Sequence, residues 1–428
     1  MPFAKRFPLI LCFLVFFCAT RFANCQEIRP VTLRSQIDQV QPMTGIVLWS
    51  DNEFASKWST SISLEYRYCG YDECVDANGA FRFGKLESVL DDIASRNHQA
   101  VLRFYFCYPG KMTTVPDFIR NRSDYSETIG RSEGQRTAFC DWSNAALREF
   151  TLDFYRSFAA QFDQDPRIAF LQVGFGLWGE YHIYDGPRRI GKTFPDQEFQ
   201  TTFLNHLHKT FRHLPWSISV DAADDQYSPI ANNNELLRLA FGTFDDSFLC
   251  KQHAKENALN WRDLGLQRWQ HSPAGGELNY YTRRDQRQAL AISGPHGTSF
   301  EQAAKQFHIS YMIGNDQANY QNRQRLESAG MATGYRFQVI AADTLRQEGR
   351  CDLRLKVRNQ GVAPLYRDAF FAVGQRRCSS SLRGLLPGQS VVVTLQDVQE
   401  SKISSLQIQC DAILPGQRIQ FDANTGAR

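Results

Sequence analysis

Short apolar runs alternate with segments of helical period over residues 44–325. Residues 86–96, for example, place Leu86, Val89, Leu90 and Ile93 on one face of a helix, and the apolar run 99–106 that follows is typical of a buried strand. The eight predicted strands cover residues 45–50, 61–68, 99–106, 168–174, 216–221, 240–244, 275–278 and 308–313. Eight strands separated mainly by helices predict an α/β fold, a (β/α)8 TIM barrel, whose usual length is about 250 residues.

The pattern changes to an alternation of period two from about Gly334 onward. Five such runs cover residues 335–340, 351–361, 368–373, 390–395 and 405–410, and the turn sequences N-Q-G and L-P-G separate some of them. Short strands without helices predict a small all-β sandwich. We therefore predict a signal peptide over residues 1–25, a catalytic barrel domain over 26–335 and a β-sandwich accessory domain over 336–428.

The amino-terminal residues are typical of a secretory signal peptide. Lys5 and Arg6 precede an apolar stretch over residues 8–20 that is too short for an ordinary membrane span. Cleavage after Cys25 would place the small residue Ala23 at the third position before the cut. A lipid anchor on Cys25 is the weaker alternative, because Asn24 stands where a small residue is usual. We expect a secreted or periplasmic protein with no integral membrane segment after cleavage.

Removal of this peptide changes the charge balance. The full chain has 48 basic and 45 acidic residues and a formal charge of +3. The first 25 residues hold three of the basic residues and no acid, so the mature chain is formally neutral. A neutral chain argues against nucleic acid as a partner.

Cysteine usage agrees with export. Of the 11 cysteines, eight lie outside the signal peptide, an even number that fits disulfide bonds in an oxidising compartment. Candidate pairs are Cys69 with Cys74, Cys107 with Cys140, and Cys378 with Cys410, while Cys250 and Cys351 have no obvious partner. A metal cluster is disfavoured because no Cys-x-x-Cys pair occurs and the nine histidines are scattered. We predict no metal and no organic cofactor.

Two glutamates follow predicted strands at the end where barrel enzymes have their active sites. The segment 170–182 reads F-L-Q-V-G-F-G-L-W-G-E-Y-H, and we expect Glu180 to end the fourth strand and Glu277 to end the seventh. Two carboxyl groups facing each other across the mouth are the groups that a retaining glycosidase uses. The alternative is a structural role for both, in ion pairs with arginines such as Arg188 or Arg283.

The neighbours of the two glutamates suggest different roles. Trp178 and Tyr181 would supply apolar surface that raises the pKa of Glu180, which suits an acid/base. Glu277 follows two glycines that allow close approach of substrate, which suits a nucleophile. Other polar or aromatic residues near strand ends are candidates for binding the substrate: Trp49, Glu65, Arg103, Trp178, His182, Asp221, Asp245 and Tyr280. For Arg103 and Asp245, structural pairing is an equal alternative, and for His182 a local structural role is the stronger one.

Several motifs together resemble one protein family. They are S-L-E-Y-R-Y-C-G-Y-D-E, V-L-R-F-Y-F-C-Y-P-G, V-G-F-G-L-W-G-E-Y-H, G-G-E-L-N-Y and F-H-I-S-Y-M. The family consists of exported, mostly bacterial proteins, carries only the name of a domain of unknown function, and is described as a candidate glycoside hydrolase. The resemblance covers most of residues 43–335 and implies a barrel.

A more distant resemblance is to barrel β-galactosidases and related retaining enzymes. It implies that Glu180 is the acid/base and Glu277 the nucleophile. Those enzymes usually have an asparagine immediately before the acid/base, whereas this chain has Gly179.

These observations predict a secreted glycoside hydrolase that cleaves a poly- or oligosaccharide by a two-glutamate retaining mechanism. The alternative is a catalytically silent carbohydrate-binding or surface-associated barrel. A polysaccharide lyase or an esterase is a weaker third choice, and the absence of a Gly-x-Ser-x-Gly motif argues against the esterase.

Overall fold

The computed structural model describes residues 28–347 and 350–426 of the chain. The predicted signal peptide lies outside the described residues. Within those ranges, none of the helices combines the length and the apolar character that a bilayer crossing requires.

The strands of the described residues are β1 (Ile28–Pro30), β2 (Arg34–Ser35), β3 (Gly45–Trp49), β4 (Leu64–Gly70), β5 (Gln99–Tyr105), β6 (Thr128–Ser132), β7 (Gln135–Phe139), β8 (Ile168–Gln172), β9 (Trp216–Ser219), β10 (Gly242–Phe248), β11 (Ala274–Leu278), β12 (Tyr311–Ile313), β13 (Phe337–Gln347), β14 (Arg350–Asn359), β15 (Phe370–Val373), β16 (Arg376–Arg377), β17 (Ser390–Val398), β18 (Leu406–Gln409) and β19 (Phe421–Asn424).

The helices are α1 (Glu53–Lys57), α2 (Gly84–Ser95), α3 (Asp117–Arg120), α4 (Ala145–Phe162), α5 (Gln197–Thr210), α6 (Asn234–Leu237), α7 (Ala254–Gly265), α8 (Arg283–Gln288), α9 (Phe300–Phe307) and α10 (Arg323–Met331). Short 3-10 turns lie at Tyr71–Cys74, Val220–Ala223, Arg268–Gln270, Asp316–Asn319 and Glu400–Ser405.

Eight parallel strands form a closed barrel in the order β3-β4-β5-β8-β9-β10-β11-β12. The barrel closes where β12 pairs with β3, with Met312 opposite Ile46. The predicted (β/α)8 fold is therefore confirmed, and so is each of the eight predicted strands, although their ends shift by a few residues. The shift that matters for the site is at the end of the sixth strand. Strand β10 continues to Phe248 instead of ending at Phe244, so Asp245 and Asp246 lie within it.

The layer between barrel and helices is rich in phenylalanine. On α4, Phe150, Phe154, Phe158 and Phe162 recur at four-residue intervals and are all buried. This spacing places them on one face of the helix, against the barrel. Phe154 contacts Phe104 of β5 at a ring-centroid distance of 4.8 Å. The helix is thus held by the aromatic face that its sequence period predicts.

A second unit consists of two β-sheets. One has the order β17-β14-β13-β19-β2 with β1 on β13, and the other has the order β16-β15-β18. On β14, Leu353, Leu355 and Val357 are buried while the residues between them are partly or fully exposed, the alternation expected for a sheet with one covered face. The all-β unit is present as predicted. Strands β1 and β2 show that residues 28–35 also join its larger sheet before the chain enters the barrel.

The β unit packs against the amino ends of the barrel strands. Gln99, the first residue of β5, donates from Nε2 to the carbonyl oxygen of Ala412 at 2.9 Å. His308, which precedes β12 and has φ of 55°, donates from Nδ1 to the carbonyl oxygen of Val362 at 2.6 Å. Because these contacts lie at the amino ends, the opposite end of the barrel stays uncovered by the β unit.

The eight cysteines of the described residues are all buried in this structure. The Sγ atoms of Cys107 and Cys140 lie 3.6 Å apart. Cys69 and Cys74 line the same cavity on the outer side of β4. Disulfide pairing therefore stays a prediction for all three candidate pairs.

We expect Phe154→Ala to lower the free energy of unfolding by about 3–5 kcal/mol, because it removes a fully buried ring from the aromatic layer. Urea denaturation of the purified protein measures this change. Ile292→Ala is the matched control, since Ile292 is 90% exposed and its truncation should change stability by less than about 0.5 kcal/mol. Equal effects of the two substitutions would contradict the aromatic layer as the main contact of α4.

Candidate active site

Arg103 of β5 lies inside the barrel mouth and is completely buried. Its Nε donates to Gln172 Oε1 at 2.8 Å, and its Nη1 donates to Glu180 Oε1 at 2.7 Å and to the Tyr68 hydroxyl at 3.1 Å. The guanidinium also lies over the ring of Phe244, 4.5 Å from its centroid. Burying a charge is costly unless it is paired and hydrogen-bonded, so these contacts hold Arg103 and Glu180 together.

Glu180 reaches the mouth through a tight turn. Strand β8 ends at Gln172, so Glu180 follows the strand by eight positions instead of ending it. In the turn, Trp178 has φ of 60° and Gly179 has φ of 71°. A Cβ atom on Gly179 would lie 2.6 Å from the carbonyl oxygen of Phe104. No asparagine fits here without a shift of backbone, which explains the glycine before Glu180.

Glu180 has two further polar neighbours. One carboxyl oxygen of Glu180 lies within 4.8 Å of one of Asp246 on β10, and Oε2 of Glu180 lies 3.7 Å from Nε2 of His182. Two carboxyl groups this close oppose each other's ionisation. Burial, followed by the charge of Asp246, raises the pKa of Glu180 well above its usual value, against the opposing effects of Arg103 and His182. The raised pKa favours the protonated form of Glu180.

His182 and Asp221 form an ion pair beside these carboxyl groups. His182 Nδ1 lies 2.9 Å from Asp221 Oδ2. Burial lowers the pKa of His182, but Asp221 outweighs burial and raises it to about 10. Burial likewise raises the pKa of Asp221, and His182 reverses the effect, so that the net pKa is lowered. At neutral pH the pair is thus an imidazolium and a carboxylate.

Glu277 of β11 is the second buried glutamate of the mouth. Burial raises its pKa to about 7, while Arg103 and a hydrogen bond from the Tyr280 hydroxyl lower it. The two preceding glycines are required by packing: a Cβ on Gly275 would lie 2.4 Å from the ring of Tyr311. Arg103 interacts electrostatically with both Glu180 and Glu277, so the structure brings the two predicted carboxyl groups around one cation.

Aromatic rings form one side of the mouth. Ring-centroid distances are 5.9 Å for Trp49 and Tyr68, 6.1 Å for Tyr68 and Tyr108, and 4.2 Å for Tyr108 and Trp178. The Nε1 of Trp49 and the Nη2 of Arg103 have no hydrogen-bond partner among the described residues. The mouth thus offers flat apolar surfaces and buried donors, the features of a pocket for a polar ligand.

Two predicted binding residues lie elsewhere. Glu65 is the second residue of β4, at the amino end, and it binds Arg96 at 2.7 Å and His98 at 2.6 Å outside the barrel. Asp245 accepts hydrogen bonds from the side chains of Asn257 and Trp261 on α7. The structure does not bring either carboxylate into the mouth. The sequence also offered an ion pair between Glu180 and an arginine such as Arg188 as an alternative to catalysis. In the structure Glu180 pairs with Arg103 instead.

The reason is the alternation of side chains along a strand. Leu64, Tyr66 and Tyr68 point into the barrel, so Glu65 points out; Phe244 and Asp246 point in, so Asp245 points out. Sequence analysis did not choose Asp246 or Tyr68. Counting in steps of two from Phe244 would have selected Asp246, had the end of β10 been placed correctly.

Three side chains could offer ligands to a metal ion. One atom each of Glu180, His182 and Asp246 lies within 4.8 Å of the others. Two features oppose a cation here: the Arg103 guanidinium already binds Glu180, and His182 is paired with Asp221 as an imidazolium. The donor set is therefore better suited to proton transfer than to holding a metal.

Comparisons with known proteins find similar solved structures. No protein-family model and no curated protein matches the chain. Among solved structures it is similar to the GH36 α-galactosidase AgaB of Geobacillus stearothermophilus, with 12% identity and a TM-score of 0.39 over 86% of this chain and 56% of that one. It is also similar to a GH30 endoxylanase of Clostridium papyrosolvens, with 8% identity and a TM-score of 0.43 over 87% of this chain and 100% of that one.

A third similar structure is the GH5_18 protein of Streptomyces cattleya, in complex with GlcNAc, with 12% identity and a TM-score of 0.43 over 69% of this chain and 79% of that one. The chain spans just over half the length of the α-galactosidase.

The free energy of unfolding of the wild type should decline between pH 4.5 and pH 7, and we expect Glu277→Gln to reduce this decline. An acid whose pKa is raised to about 7 on folding destabilises the folded state as pH rises above its unfolded pKa, near 4.5. The amide does not ionise, so its relative gain at pH 7 should be on the order of 3 kcal/mol. Denaturant unfolding at several pH values measures it. Glu256→Gln, at an exposed position of α7, should follow the wild-type slope; a parallel slope for Glu277→Gln would contradict the raised pKa.

Proposed function

We propose that this protein is a secreted or periplasmic glycoside hydrolase with Glu180 as acid/base and Glu277 as nucleophile. The observation that carries the proposal is the position of Arg103, which pairs with the buried Glu180 at 2.7 Å and interacts electrostatically with the buried Glu277. Burial raises the pKa of Glu180 well above its usual value and that of Glu277 to about 7, so the two carboxyl groups differ in their tendency to hold a proton. Unequal protonation of two carboxyl groups is what glycoside cleavage requires.

The reaction would proceed in two steps. Glu277 attacks the anomeric carbon while Glu180 gives its proton to the departing glycosidic oxygen, which breaks the C–O bond and leaves a glycosyl ester on Glu277. Glu180, now a carboxylate, then takes a proton from water, and the water oxygen displaces Glu277 from the anomeric carbon. The products are a free sugar with retained configuration and the alcohol of the leaving group.

Residues around Glu180 support its change of charge. When Glu180 loses its proton, the new negative charge lies next to Arg103 and the His182 imidazolium, which offset it. Oriented positive charge at the point where negative charge develops lowers the barrier. Trp49, Trp178 and Tyr280 would hold sugar rings, since aromatic side chains offer flat apolar faces with polar edges.

A second candidate is a carbohydrate-binding barrel without hydrolysis. The Arg103–Glu180 ion pair at 2.7 Å favours it, because a guanidinium on a carboxylate opposes the protonated form that the acid needs. Titration calorimetry with oligosaccharides, run beside an assay for new reducing ends, separates the two candidates. Binding without cleavage would support the second.

We expect Glu180→Gln and Glu277→Gln each to lower kcat by about 10³-fold or more on any glycan that the wild type cleaves, because each removes a group that reacts. The assay uses a panel of polysaccharides and aryl glycosides, with ¹H NMR of the first product anomer. Glu256→Gln is the control and should keep wild-type kcat. Wild-type rates for either glutamine variant would reject the assignment, and an inverted anomer would reject the retaining mechanism.

We expect Asp246→Asn to move the basic limb of the kcat/KM profile to lower pH. The charge of Asp246 raises the pKa of Glu180, so its removal lets Glu180 lose the catalytic proton earlier. Rates between pH 5 and pH 9 on the cleaved glycan measure the limb. Asp263→Asn, at an exposed site of α7, should leave the limb in place. An unmoved limb in Asp246→Asn would show that the charge of Asp246 does not raise the pKa of Glu180.

A further inference from the structure

A hairpin inserted after barrel strand β5 forms part of the mouth. It consists of β6 and β7, joined by the two residues Glu133 and Gly134 with φ of 48° and 70°. Positive φ at both positions is the turn that matches the twist of a tight hairpin. Glutamate is uncommon at positive φ, and at this tip it projects an exposed carboxylate from a rigid turn.

The hairpin is locked to the segment that follows Glu180. A Cβ atom on Gly130 of β6 would lie 2.7 Å from Cδ of Pro187, and one on Gly186 would lie 2.6 Å from the ring of Phe139 on β7. The backbone at Gly130 and at Gly186 therefore packs directly against the rings of Pro187 and Phe139. This close packing fixes the hairpin tip relative to the catalytic turn.

A chain of hydrogen bonds runs from the hairpin tip to the catalytic turn. The Tyr184 hydroxyl donates to Glu133 Oε1 at 2.5 Å and accepts from Nε1 of Trp178 at 3.3 Å. The backbone N–H of Glu133 donates to Asp185 Oδ2 at 2.6 Å. Trp178 lies two residues before Glu180 and contacts Tyr108 ring to ring at 4.2 Å. Glu133 thereby holds Tyr184, and Tyr184 orients the indole.

The same residues face solvent beside the carboxyl groups. Tyr184 is 52% exposed, and its ring is 5.2 Å from that of His182. Burial of the hydroxyl, together with its bond to Glu133 and the charges of Glu133 and Glu180, raises the pKa of Tyr184, which keeps the hydroxyl protonated as a donor. An exposed aromatic ring next to a carboxylate is complementary to a pyranose. The ring can pack on the apolar face of the sugar, and the carboxylate can accept a hydrogen bond from a sugar hydroxyl.

We propose that Glu133, Tyr184 and Trp178 form a sugar-binding subsite next to Glu180, occupied by one pyranose unit of an oligosaccharide. The subsite rests on the proposed glycoside hydrolase function and deepens it. Tyr184 and Trp178 contact the ring, and the Glu133 carboxylate accepts a sugar hydroxyl. Glu133 is also a positioning residue for the two aromatic side chains.

The test measures kcat and KM on β-1,4-linked gluco-, xylo-, manno- and galacto-oligosaccharides of two to six units. For the series that the wild type cleaves, Glu133→Ala and Tyr184→Phe should each raise KM roughly tenfold and lower kcat far less, because they remove binding present before and during the reaction. Glu133→Gln keeps an oxygen acceptor for Tyr184 and should recover most of the lost affinity. Arg136→Ala, on the solvent face of the same hairpin, is the matched control and should keep the wild-type KM.

Thermal midpoints of all variants are compared first, so that a change in KM is not a change in folding. If the wild type neither binds nor cleaves any series, the proposed function fails and the subsite with it. If the wild type cleaves a series while Glu133→Ala and Tyr184→Phe keep its KM, the subsite alone is rejected. A loss in Glu133→Ala that Glu133→Gln does not reduce would reject the hydrogen-bonding role of Glu133.

Discussion

The buried ion pair between Arg103 and Glu180 is the contact on which the mouth of this barrel depends. A guanidinium without solvent contact is stable only if its surroundings supply acceptors and negative charge. Gln172, Tyr68 and Glu180 supply the acceptors, and the face of Phe244 covers the cation. Removing Glu180 would leave the buried guanidinium without its paired carboxyl group.

Burial around this pair separates the protonation states of neighbouring acids. Burial and the nearby charge of Asp246 raise the pKa of Glu180, and burial and the charge of Asp221 raise that of Asp246. His182 and Asp221, in contrast, favour their charged forms, since each stabilises the charge of the other. A proton donor and an imidazolium therefore stand side by side at neutral pH. Such a separation of acid and base states is what general acid–base chemistry needs.

The rest of the fold divides the barrel into two ends with different tasks. The β unit packs on the amino ends of the strands, where the contacts of Gln99 and His308 are structural. The carboxyl ends carry the acids and the β6–β7 hairpin. This division agrees with the general behaviour of (β/α)8 barrels, in which one end stabilises and the other reacts.

The period of apolar residues determined the fold. Residues at four-residue intervals on α4 and at two-residue intervals on β14 are buried as their patterns predict, because burial of one face is what makes each element stable. The positions of Glu180 and Glu277 near the mouth also followed from strand order alone. Such patterns can be recognised in a sequence because they depend only on residues that are close together in the chain.

Only the tertiary structure decided which acid faces which partner. Asp245 and Asp246 are adjacent in the chain, yet they point to opposite sides of β10, and a strand end misplaced by four residues hid the difference. The raised pKa of Glu180 beside Asp246, and the packing that requires Gly179, depend on atoms that distant segments bring within a few ångströms. Sequence determines which side chains an element carries, whereas their protonation and contacts come from neighbours that only folding supplies.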